Sequence, residues 1–134
     1  MQYYKSRRTY ILETEECFQT VFRPKDIIVT MFITMYPDGR VIIRKGYSWD
    51  GVSGPVRDRP GNLMASLLHD ALYQLMREGL VPSKLWAVAD GEYFKQLKKQ
   101  GYWTILVIIH MVGLRYAGGK YAQEGSVGKV VFTV

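Results

Sequence analysis

The residues in this chain best suited to chemistry are His69, Asp70, Tyr73 and Asp90, carried by the runs His69-Asp70-Ala71-Leu72-Tyr73 and Ala89-Asp90. On a helix, His69 and Tyr73 share a face, and Asp70 stands about 100° round from His69. A short connection near Val81 separates the two runs. In an antiparallel helical hairpin, His69 then lies about 12 residues before the turn and Asp90 about 9 after it. At roughly 1.5 Å per residue their heights differ by about 4 to 5 Å. An imidazole and a carboxylate at similar depth on facing helices can hydrogen-bond. The carboxylate then fixes the tautomer and steadies the imidazolium, which makes His69 a base able to activate water. Tyr73 can donate to the same carboxylate. The same residues also suit a satisfied buried polar pair that does no chemistry.

Upstream, the stretch from Gly46 to Gly61 holds four glycines and two prolines, which predicts irregular backbone that can present carbonyl and N–H groups near Asp70. A carboxylate joined by carbonyl oxygens is a calcium donor set. Asp70 with oxygens of this loop is therefore a candidate metal site. The alternative is that Asp50 and Asp70 cap backbone N–H groups. Within that loop, Gly51-Val52-Ser53-Gly54-Pro55 misses the nucleophile elbow, because proline stands where the last glycine is needed.

The elements that must position these residues follow from periodicity. Ile27, Val29, Met31, Ile33 and Met35 alternate as a strand would. Pro37-Asp38-Gly39 then turns the chain into Val41-Ile42-Ile43, which predicts a hairpin. Arg8 to Phe22 adds one or two strands to the same small sheet. Asn62 is the expected N-cap of a helix carrying Leu63, Leu67, Leu68, Leu72, Leu75 and Met76, closed by Gly79. Pro82-Ser83 opens a second helix, with Leu85, Trp86, Val88, Ala89, Tyr93, Phe94 and Leu97, ending at Gly101. Tyr102 to Tyr116, apolar nearly all round, predicts a third helix, and Lys129 to Val134 a short terminal strand. The fold class expected is α+β: a small antiparallel sheet, then a three-helix unit, then a short strand. We read one domain, with residues 8–45 β-rich, 46–61 a loop, 62–117 helical and 129–134 the terminal strand.

Composition narrows the function classes. At 134 residues the chain is the size of one domain, and with Cys17 as its single cysteine it excludes an internal disulfide framework. Two histidines are too few for a zinc site of Cys/His type. A net charge of +6 favours anionic partners. Lys95, Lys98 and Lys99 read as a solvated helix face, so nucleic acid is the less favoured partner. Trp49, Trp86 and Trp103 suit either core packing or a rim against lipid. The start of the chain lacks the apolar core of a signal peptide. The longest apolar run, Tyr102 to Leu114, is about 13 residues against the roughly 20 that a transmembrane helix requires.

At these motifs the chain resembles two families. Trp49-Asp50-Gly51-Val52-Ser53-Gly54-Pro55, then His69-Asp70-x-Leu72-Tyr73, then Ala89-Asp90 with Phe94, is similar to family 1353 of the domains of unknown function, common in tailed bacteriophages and prophages. That likeness spans most of the chain and implies a phage protein of the host cytoplasm or the virion, with other virion proteins as partners. The second resemblance is to phospholipase A2, in the form found in the parvovirus capsid protein. It rests on His69-Asp70-Ala71-Leu72-Tyr73, Gly79-Leu80-Val81-Pro82 and Ala89-Asp90-Gly91-Glu92-Tyr93-Phe94, about fifty residues in all. It implies His69 as the base, Asp90 as its orienter, Tyr73 as a support for Asp90, and Asp70 as a calcium carboxylate completed by carbonyls around Asp50 to Gly54. The substrate implied is a phospholipid ester. A non-enzymatic virion or assembly protein retaining the same fold is the alternative. The loop departs from the enzyme's pattern: it is less dense in glycine, carries Asp50, and is separated from the helix by Arg57-Asp58-Arg59-Pro60.

Overall fold

A computed structural model describes residues 1–7, 9–51 and 60–102. Among them the fold is α+β, with two antiparallel sheets and two helices. The chain divides into two compact units, the first holding Met1–Asp50 and the second beginning at Gly51.

In the first unit, β1 (Tyr3–Ser6), β2 (Thr9–Leu12) and β7 (Ser48–Trp49) make a three-stranded sheet in the order β1-β2-β7. The strands β3 (Glu16–Gln19), β4 (Ile28–Val29), β5 (Ile33–Met35) and β6 (Arg40–Ile43) make a four-stranded sheet in the order β3-β6-β5-β4. Two sheets thus replace the single sheet expected, and the β-rich part runs from Tyr3 to Trp49 rather than from residue 8 to 45. The start of the expected loop is drawn into pairing. Leu12 N–H donates to the Tyr47 carbonyl at 2.9 Å, and Gly46 N–H donates to the Leu12 carbonyl at 2.8 Å. Trp49 is thereby buried, its ring 6.2 Å from that of Tyr3 and 5.6 Å from that of Tyr10. Its use is core packing, not a lipid rim.

The segment expected as one strand, Ile27 to Met35, is itself folded back. Thr30 Oγ1 lies 2.9 Å from the Ile33 N–H that it accepts and 3.0 Å from the Ile33 carbonyl to which it donates, closing a tight reversal over Met31 and Phe32. Ile28 pairs with Met35 and Val29 with Thr34, so odd-numbered residues change face across the turn. Ile33 and Met35 are fully buried, whereas Ile27, Val29 and Met31 face solvent. The next turn depends on Gly39, whose φ of +93° belongs to glycine and whose α-carbon packs against the chain crossing below it. A Cβ there would meet the Thr20 carbonyl and lie 2.7 Å from the Phe22 carbonyl.

The second unit contains α1 (Pro60–Arg77) and α2 (Trp86–Lys99). Helix α1 starts earlier than the expected Asn62 cap; proline suits the first helical position because its fixed φ matches and no N–H is required there. Asn62 is instead a fully buried residue inside the first turn. The end of α1 is as expected: Gly79, at φ +75°, donates to the Met76 carbonyl at 3.0 Å, and Leu80 N–H donates to that of Leu75 at 2.9 Å. A tight helical turn, Ser83–Leu85, leads into α2. The helices run antiparallel: Ala65 packs with Tyr93 and Leu97, and a Cβ on Gly61 would lie 3.0 Å from the Tyr102 ring. The expected third helix and terminal strand lie outside the described residues.

Two variants test the turns of the first unit. Gly39→Ala should destabilise by at least about 2 kcal/mol, because strain at positive φ adds to a backbone clash. Thr30→Val, which keeps the side-chain volume, should cost about 1 to 2 kcal/mol through the lost backbone bonds. Urea unfolding midpoints give both values and their order.

Candidate active site

Helices α1 and α2 bring together His69, Tyr73 and Asp90. The Asp90 carboxylate is fully buried, and His69 and Tyr73 are 4% and 3% exposed. His69 Nε2 lies 2.8 Å from Asp90 Oδ1, and the Tyr73 hydroxyl donates to the same oxygen at 2.7 Å. The spacing explains the meeting. His69 and Tyr73 are one helical turn apart on α1, and the rise along the hairpin sets Asp90 at their level on α2.

Two aromatic rings enclose the imidazole. The Tyr73 ring is tilted 35° against it with centroids 4.1 Å apart, and the Tyr93 ring meets it edge-on at 5.5 Å. Tyr93 is the member of this site that residue types and spacing left among the ordinary core positions. Its signal was its place one turn beyond Asp90 on the same face of α2.

The bond at Nε2 has a chemical consequence. A neutral imidazole that donates from Nε2 to a carboxylate carries its lone pair on Nδ1. Nδ1 faces the Asp70 carboxylate, at 3.9 Å. Burial disfavours a charged imidazole, but the nearby Asp70 carboxylate and the hydrogen-bonded, negatively charged Asp90 outweigh it, and the His69 pKa is raised above its ordinary 6.5.

Of the expected metal ligands, Asp50, Gly51 and Asp70 are among the described residues. Asp70 is partly open, its side chain 29% exposed. Asp50 is an exposed residue at the end of the first unit, and Gly51 opens the second. Ser53 and Gly54 lie outside the described residues. Among the described residues, no three His, Cys, Asp or Glu side chains gather as metal ligands. Comparison with family models, with curated proteins and with solved structures found no match.

The buried triad makes two expectations. Tyr73→Phe removes a donor to a buried carboxylate and should cost about 1.5 to 3 kcal/mol in chemical denaturation. Because the folded pKa of His69 lies above 6.5, its contribution to stability is complete below that pH and is lost as pH rises through the folded value. Unfolding free energies measured from pH 6 to 9 should therefore fall more in the wild type than in a His69→Asn variant.

Proposed function

We propose that this chain is a phospholipase A2-like hydrolase in which His69 activates water against a phospholipid ester. The observation that carries the reading is the 2.8 Å contact between His69 Nε2 and the buried Asp90 carboxylate. It holds the ring in one tautomer and leaves Nδ1 as the base. The resemblance of HDxxY and ADxxF to the phospholipase pattern supports the same assignment; the apolar pattern beyond it adds the third helix, completing a three-helix unit, and the terminal strand. The likeness to family 1353 implies a phage protein of the host cytoplasm or virion as the setting. No described helix is long and apolar enough to cross a membrane.

In the reaction, Nδ1 takes a proton from water as the water oxygen bonds to the ester carbonyl carbon. Asp90 stabilises the imidazolium that results, and Tyr73 holds the carboxylate in place. When the tetrahedral intermediate collapses, the carbon–oxygen bond to the glycerol backbone breaks. The proton passes from Nδ1 to the departing alkoxide, giving a free fatty acid and a lysophospholipid.

The phospholipase resemblance assigns Asp70, a hard and partly exposed oxygen donor beside the base, as the calcium carboxylate. The ion's other oxygens would be carbonyls of Gly51, Ser53 and Gly54. When bound, calcium would supply Lewis-acid polarisation of the ester carbonyl. The burial of His69 favours the second reading, a virion or assembly protein in which the triad only holds two helices together.

Fatty-acid release from phospholipid vesicles, with and without calcium, separates the two. An enzyme should lose activity by about a hundredfold or more in a folded His69→Asn variant. Its activity should rise with pH to a midpoint above 6.5, since the base must be neutral. Full hydrolysis by the variant would remove His69 as the base, and no hydrolysis by the wild type under any of these conditions would leave the scaffold.

A further inference from the structure

The four-stranded sheet of the first unit buries one face and leaves an unusual set of side chains on the other. Ile27, Val29 and Met31 project from its β4 edge with 50%, 62% and 51% of their surface exposed. Ile27 and Val29 flank Ile28 in and beside the short β4, and Met31 stands in the turn that follows, so the three lie together rather than as scattered apolar exposure. The pairing register puts Ile42, Arg40 and Arg44 on that same face, across Thr34. Arg44 spans the face, its guanidinium hydrogen-bonded to the Thr34 hydroxyl and the Thr30 carbonyl. Among the described residues neither Arg44 nor the adjoining exposed Lys45 has an ion-pair partner, whereas Arg40 is paired with Asp38. Lys25 and Asp26, both exposed, precede the row.

We propose that this face docks the protein on an anionic phospholipid bilayer, with Ile27, Val29 and Met31 entering the interface and Arg44, Lys45 and Lys25 meeting headgroup phosphates. Such a surface uses both the apolar row and the cations. Nucleic acid would engage the cations and leave three aliphatic side chains in water. A second copy stacked on this face would set Arg40 and Arg44 against their own counterparts, and β4 has only two paired residues to offer an added strand. The choice of lipid among anionic surfaces rests on the phospholipid reading above. The docking residues are separate from the triad of α1 and α2.

Cosedimentation with vesicles of phosphatidylglycerol and phosphatidylcholine tests the proposal. The probes are the wild type, Val29→Asp/Met31→Asp and the milder Val29→Ser/Met31→Ser, each checked by circular dichroism. The wild type should bind the anionic vesicles, and binding should fall several-fold on pure phosphatidylcholine or in about 0.5 M salt. The aspartate pair should lower the partition coefficient at least about tenfold and the serine pair by a smaller factor. If the aspartate pair fails to fold, the serine pair carries the comparison. Absence of wild-type binding, or variants that bind as the wild type does, would overturn the proposal. So would a dimer in solution that the substitutions abolish without any vesicle binding. Fatty acid measured in the same tubes keeps the two readings apart. Patch-dependent binding without release leaves the docking face standing and removes the esterase, whereas release and binding that ignore the patch do the reverse.

Discussion

A carboxylate without exposed surface must be given hydrogen-bond donors before two helices can close over it. Asp90 receives two such contacts at one oxygen, from His69 and Tyr73. Leaving it without them would cost several kcal/mol, more than most single packing contacts return. The requirement fixes α2 against α1 in both height and rotation. A slip of one residue moves Asp90 by about 1.5 Å along the axis and 100° round it, which takes it away from both donors. Ala65 and Ala89, fully buried, are small enough for the helices to approach at that register. Packing of Tyr93 and Leu97 on Ala65 then follows from the polar contact rather than competing with it.

How much of this was legible in the sequence depends on how local each determinant is. The meeting of His69, Tyr73 and Asp90 was readable because it needs only the helical rise and a short connection, both set by nearby residues such as Gly79. The α+β class and the C-terminal ends of both helices, at Gly79 and Gly101, were readable for the same reason. The reversal at Thr30 was not, since Met31 and Phe32 are poor turn signals and the turn is closed by a threonine side chain. A two-residue turn also inverts the parity of the alternation. An apolar residue at every odd position from Ile27 to Met35 looks like one core face, yet the first three are exposed and the last two buried.

Long-range pairing hid the rest. Tyr47 to Trp49 lies among glycines and prolines and reads as loop, but the backbone of Leu12 captures it. Polar residues buried on the helices were equally hidden. Glu92 and Gln96 are almost fully buried, and Glu92 is joined to Lys95 at 2.8 Å. By type both belong on a solvated face, and only tertiary packing moves them inside.

Helix α1 has no exposed residue between Gly61 and Arg77. Amides in such a helix exchange with solvent only when the surrounding structure opens, so its central turns should exchange more slowly than those of α2. His69 and Tyr73 sit on those turns, while their partner Asp90 lies on a helix whose outer residues, Gly91 and Lys95, face water. The imidazole is thus anchored on the helix without exposed residues and its carboxylate on the helix with a solvated face. Fluctuations that loosen the triad would begin from the side of Asp90, releasing the ring from its acid before the ring itself moves.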